Sequence, residues 1–293
     1  MKNQLIKCLF SFLLTLFSTQ TYAQMTYDTQ WKLVTDAESK GLPETALKAV
    51  NAIYDQAKKE KNAQQLVKAI IHQLKFTEYK EENAFVKNLV KLKQEADSAE
   101  MPVKPLLHSV LGNFYWQYYQ NNRWKYANRS ETKDFKNDDI ETWSLEKITQ
   151  ETVAQYQLSL QNKEELQKIK IEVFDAVTQK GNALGENYRP TLYDFLAHRA
   201  VDFYMNDEAG ITKPSYAFVL DKDVYLADAQ TFTYAKLETK DELSYKFFAL
   251  QILQDITKFH QNDTDLSAFV DVDLKRLAFV KNHLILPNKE DLY

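Results

Sequence analysis

The stretch WKLVTDAESKGLPETALKAVNAIYDQA, residues 31–57, decides the fold class. Trp31, Val34 and Ala37 stand three residues apart, so they share one face of a helix. Gly41 stops that helix and Leu42-Pro43 restarts the chain, because glycine accepts the left-handed turn after a helix and proline suits the first turn of the next. Ala46, Leu47, Val50, Ile53, Tyr54 and Ala57 then recur at intervals of three and four, giving a second apolar face. Two such helices joined by a short turn fold back on each other, and their small residues permit close approach. The result is one hairpin of tetratricopeptide type.

The same periodicity extends along the chain. It predicts helices over 63–79, with Leu66, Ile70 and Leu74 inward, and over 85–99, with Phe85, Leu89, Leu92 and Ala96 inward, before Met101-Pro102 interrupts it. Residues 104–126 carry two adjacent rows, Leu107, Leu111, Tyr115, Tyr119 and Leu106, Val110, Phe114, Tyr118. Residues 129–139 are polar and read as an exposed loop. Ile140, Trp143, Ile148, Val153 and Tyr156 restart the pattern, and Leu166, Ile169, Val173 and Val177 predict a helix ending near Gly181 and Gly185. A further helix is expected over 190–205 with Pro190 in its first turn. Residues 214–234 read as a loop, or a brief hairpin, pinned by Phe232 and Tyr234. Helices resume over 243–259 and 266–283. The expected fold is all-α, an irregular array of antiparallel helix hairpins forming a tetratricopeptide-like superhelix.

Composition agrees with that reading and removes several functions. Of 293 residues only 5 are Gly and 6 Pro, against roughly 7% and 5% in ordinary proteins, so tight turns are scarce. A mean hydropathy of -0.50 argues against a multi-spanning membrane protein. Lys2 and Lys7, an apolar run from Leu9 to Phe17 and the small-residue site at Ala23 predict an export signal over 1–23, leaving a mature module over 24–293. Cleavage removes the single cysteine, Cys8, and with it disulfides, thiolate metal sites and a cysteine nucleophile. It also removes two lysines, so the net charge moves from -4 to -6, which argues against nucleic acid as a partner. The chain stops as a helix begins at Asn288, and Tyr293 is therefore expected to be a truncated end.

HExxH, GxSxG and glycine-rich phosphate motifs are absent. Asp194, His198 and Asp202 lie at i, i+4 and i+8 and could present zinc ligands or acid–base groups, or simply form a packing face. Tyr115, Trp116 and Tyr119, with neighbouring aromatics up to Tyr126, could line a groove for a sugar or a peptide, or pack between helices. Arg123 and Arg129 flank that segment. No cofactor and no metal is expected.

Several stretches together resemble the N-terminal helical region of the large exported α2-macroglobulin-like proteins of Bacteroidetes-type bacteria. They are Trp31 with Gly41 and Pro43, Asn122-Arg123-Trp124 before Arg129, and Asp138-Asp139-Ile140 with Thr142-Trp143. Next come Arg189-Pro190-Thr191-Leu192-Tyr193-Asp194 and Asp273-Leu274-Lys275-Arg276-Leu277. The run from Arg189 is the most specific. The resemblance implies a scaffold or partner-binding module without catalytic or thioester chemistry, protease inhibition belonging to the whole assembly. It implies export to the periplasm or exterior of a Gram-negative cell. The implied partners are macroglobulin domains of the same or an adjacent chain and target proteases. Arg189 and Asp194 are expected to pair with neighbouring helices. The alternative is a stand-alone periplasmic tetratricopeptide-like scaffold for a peptide or protein.

Overall fold

A computed structural model describes residues 25–79, 84–126, 139–178, 185–206 and 215–293. The predicted export signal, Cys8, Arg129 and Gly181 lie outside the described residues. Among those described, the regular structure is helical, and the only β pairing is two isolated bridges. No described helix is long and apolar enough to cross a membrane.

The opening hairpin is α1 (Tyr27–Ser39) and α2 (Pro43–Glu60). Trp31, Val34 and Ala37 of α1 are buried against Ala46, Val50 and Ile53 of α2. Gly41 adopts φ +65°, and the amides of Leu42 and Gly41 donate to the Ala37 and Glu38 carbonyls at 3.0 and 2.9 Å. That closes α1 with the paired bonds of a left-handed helix stop. Pro43 opens α2, where its missing N–H costs nothing. Next come α3 (Ala63–Glu78), capped by Asn62, and α4 (Ala84–Ser98). Ala69 and Phe76 of α3 complete a small core with α1 and α2, while its Val67, Ile70 and Leu74 face the main core.

The centre of the molecule is α5 (Val103–Tyr126), which packs on α3 and α4 and most extensively on α6 (Leu145–Ser159). Gly112 makes that pairing possible. A Cβ there would lie 3.1 Å from Cδ2 of Tyr156, whose ring is buried and stacked on Phe203 with centroids 5.0 Å apart. Glycine within a helix ordinarily costs about 1 kcal/mol relative to alanine. Gly112→Ala should nevertheless lower stability, by roughly 1–2 kcal/mol, because the fixed Tyr156 ring has nowhere to move. Urea unfolding checks this, and a stabilised variant would show that the two helices can part at no cost.

Between α6 and the next long helix the expected helix over 166–177 does not form. One turn, α7 (Lys163–Leu166), is followed by a 3-10 turn, Ile171–Phe174. The physical reason is competition for the backbone. The Ile171 amide donates to the Pro190 carbonyl at 3.1 Å and the Leu192 amide to the Ile169 carbonyl at 2.8 Å, tying this segment to the approach of the following helix. Phe174 is the buried residue there, and Val173 is exposed. Gly185 opens the short helix α8 (Gly185–Tyr188) instead of ending a longer one. Helix α9 (Leu192–Tyr204) starts two residues later than expected. Thr191 is its cap, so Pro190 stands before the helix and not in its first turn.

Residues 215–234 are an ordered loop with a 3-10 turn, Asp223–Tyr225, and a short helix α10 (Ala229–Tyr234). Phe232 anchors it in the core, whereas Tyr234 is 72% exposed and lies under the Lys258 ammonium, 5.7 Å from its ring centroid. The long helices α11 (Tyr245–His260) and α12 (Ser267–His283) follow, and a final turn, α13 (Lys289–Leu292), buries no side chain. Helices α5, α6, α9 and α11 enclose the main core, in which Trp116, Tyr156, Phe203, Tyr204 and Tyr245 form a continuous aromatic contact.

Candidate functional site

Two places gather the residues singled out by the sequence. The first is a polar network where α8, α9, α11 and α12 meet. Thr191 caps α9 by accepting from the Asp194 amide at 3.3 Å. Asp194 answers through Oδ2, which accepts from the Thr191 amide at 3.0 Å and the Thr191 hydroxyl at 2.7 Å. This reciprocal pair satisfies amides that a helix start leaves open. It also leaves Oδ1 of Asp194 aimed at α11, where it lies 2.7 Å from Nε2 of His260. The other ring nitrogen, Nδ1, lies 2.6 Å from Oδ2 of Asp263.

A carboxylate only accepts, so an imidazole bonded to two carboxylates must donate from both nitrogens. This arrangement favours the imidazolium form of His260. Burial opposes that charge, but the hydrogen bonds and charges of Asp194 and Asp263 outweigh it and raise the pKa above the ordinary histidine value. Asp194 and His260 are both closed to solvent, and only Asp263 reaches water.

One turn further along α9, His198 has the opposite character. Burial, then the positive charges of Arg189, Lys275 and His260, push its pKa down to about 2, so it is neutral. The Lys275 ammonium donates to Nδ1 of His198 at 3.5 Å and also pairs with Asp202. The stripe Asp194, His198, Asp202 thus turns to different partners, and among the described residues no cluster of three or more acids and histidines could hold a metal ion.

Two arginines, Arg189 and Arg276, also bind across helices. Arg189 donates to Asp271 of α12 at 2.7 Å. Arg276 is buried to 1% exposure, donates to Asp273 and to the Tyr225 carbonyl, both at 2.7 Å, and lies 4.5 Å from the centroid of the Phe232 ring. It fastens the 223–232 segment to α12. Tyr193 packs edge-on to Phe259. The side-chain polar atoms of Asp194 and His260 are all taken by protein groups, so the pair ties α9 to α11.

The second place is a cleft of about 470 Å³ beside α4. Val86, Leu89 and Val90 form one wall, and Tyr115, Ile140 and Trp143 the other. Tyr115 and Trp143 stack with centroids 5.7 Å apart, 20° from parallel. Trp143 stands there because Ile140–Thr142 forms a 3-10 turn and α6 starts only at Leu145, capped by Ser144. Lys93, Gln94 and Asp97 continue the α4 face at helical spacing, adding one charge of each sign. This volume and mixed lining suit a small ligand or a few side chains of a bound segment.

The three aromatics expected to line a groove are all buried in the core, and Tyr115, 1% exposed, lies at the floor of the cleft. Trp116 and Tyr119 stack on each other with centroids 4.9 Å apart, and Trp116 meets Phe203 edge-on. Arg123 lies over the ring of Trp124, which is 78% exposed at the end of α5. Trp31 is buried, and its indole N–H donates to Gln65 at 2.6 Å. Sequence reasoning did not single out His260 or Asp263, and it named Lys275 only within the 273–277 run. The only local sign was Asp194 standing three residues after Thr191, which marks a cap and names no distant partner.

No family model, curated protein or solved structure matches this chain.

Proposed function

We propose that this protein is an exported, non-catalytic helical scaffold whose α4–α5 cleft holds a segment of a partner protein. That is the role implied by its resemblance to the N-terminal helical region of α2-macroglobulin-like proteins. The partner would be the macroglobulin body of the same or an adjacent chain. The observation that carries the reading is the cleft itself, a hollow edged by Val86, Val90, Lys93, Gln94 and Asp97 of α4 over a floor of buried Leu89, Tyr115, Ile140 and Trp143. Short apolar anchors of a bound segment dock in this way, the flanking charges fixing its direction. The polar network around Asp194 serves the scaffold by tying α9 to α11.

A photo-crosslinking amino acid at Val90, on the cleft wall, should give one discrete adduct in extracts of the source cells. The same probe at Thr35, on the outer side of α1, should give none. Val86→Trp, at a half-buried lining position, should abolish the Val90 adduct while leaving the fold intact by circular dichroism. Equal labelling at Val90 and Thr35 would refute the cleft. An adduct with a macroglobulin-type chain or a protease would extend the reading to inhibition, and any other protein would restrict it to a bare scaffold.

A further inference from the structure

We infer that the segment held in the α4 cleft is an extended chain that presents an apolar side chain, an acid and a base, in that order along the direction of α4. The inference rests on the cleft being the binding site proposed above. Val86, Val90, Lys93, Gln94 and Asp97 edge the hollow along α4, so it follows roughly 16 Å of helix axis. A volume of about 470 Å³ spread over that length leaves a channel roughly 6 Å across, which takes an extended chain but not a helix about 10 Å in diameter.

The rim charges set the order. Among the described residues, the side chains of Lys93 and Asp97 form no ion pair or hydrogen bond, either with each other or with a third group. Glu95 on the same helix accepts from the Tyr54 hydroxyl at 2.8 Å, and Lys147, 5.5 Å from the Trp143 ring centroid, pairs with Glu151 at 2.6 Å. Those charges are already matched within the protein, whereas Lys93 and Asp97 are free to read an occupant, an acid against the first and a base against the second. The two stand about 6 Å apart along the helix axis. Alternate residues of an extended chain share a face and are separated by roughly 6.6 Å, which fits that interval. The apolar side chain then falls two residues from the acid, between the Val86 and Val90 edge and the buried floor. Gln94, beside Lys93 on the rim, offers both a donor and an acceptor to the backbone of the segment.

Fluorescence anisotropy of the full chain with capped, labelled ten-residue peptides tests this. In a serine frame, Leu, Glu and Arg at alternate positions in that order should bind about fivefold or more tightly than the same residues in the order Leu, Arg, Glu. The double variant Lys93→Asp, Asp97→Lys keeps the net charge and should reverse the preference with unchanged circular dichroism. Tighter binding when the three residues are spaced by four, as on a helix, overturns the extended form. Binding that Val86→Trp blocks but that ignores the order of charges in both proteins overturns the inference and leaves the cleft standing. Binding that Val86→Trp does not change, or no binding by any of the peptides, overturns both.

Discussion

Arg276→Ala should destabilise the fold by about 3–5 kcal/mol, because it breaks a buried ion pair and leaves the other groups without their donor. Three of the guanidinium nitrogens are engaged: Nε and one terminal nitrogen hold Asp273, and the other terminal nitrogen holds the Tyr225 carbonyl. Its plane also lies against Phe232, the residue that anchors α10. Arg276→Lys should resemble alanine more than wild type, since a single ammonium cannot reach both acceptors and cover the ring. The local consequence is as informative as the global one. The segment from Asp223 to Phe232 should loosen first, so trypsin should cut faster at the flanking exposed residues Lys222 and Lys236. A variant that unfolds at the wild-type urea midpoint, with unchanged cleavage there, would show that Arg276 is not the fastener.

Asp194→Asn should cost a similar amount, about 3–5 kcal/mol at pH 6, and less at alkaline pH. The sign follows from His260. Its folded pKa is raised, so the imidazolium contributes stability that is fully present below the ordinary histidine value and is lost as pH rises through the folded value. The groups facing it are Asp194 and neutral His198 from α9, Asp263 from the turn after α11, and the cations Arg189 and Lys275 nearby. An asparagine removes the buried negative charge, lowers the His260 pKa, and disturbs the reciprocal bonds with Thr191. Urea unfolding of wild type and Asp194→Asn across pH 6–9 should give curves that converge toward alkaline pH. Parallel curves would refute the imidazolium, and an NMR titration of His260 tests the same point directly.

The helices from α1 to α5 were legible because their apolar residues repeat at a helical interval and their stops are chemically explicit. Gly41 ends α1 in the left-handed conformation and Pro43 begins α2, as the residues themselves require. The helix expected over 166–177 was misread for a physical reason. Leu166, Ile169, Val173 and Val177 have helical spacing, but the β-branched Ile169, Val173 and Val177 make a helix only marginally favourable there. Backbone bonds to Pro190 and Leu192 then decide otherwise. Thr191 displaced Pro190 as the start of α9 because the Thr191–Asp194 pair satisfies amides that a proline cannot.

By itself the sequence determined the helical class, the short turns and the residues with a buried face, since these follow from local periodicity and from the conformations open to Gly and Pro. The tertiary structure alone decided what the polar residues do. His260 lies 66 positions from Asp194, and Lys275 lies 77 from His198. No local pattern records such a pairing, and the charge state of each histidine depends on it. The same holds for Gly112, whose lack of a side chain gains meaning only when α6 brings Tyr156 within 3.1 Å of where a Cβ would stand. It holds as well for Tyr115, Trp116 and Tyr119, which share a helix and are all buried but meet different partners, Trp143 for Tyr115 and Phe203 for Trp116. Helical spacing assigns residues to faces, and only the packing of neighbouring helices decides which face is left open.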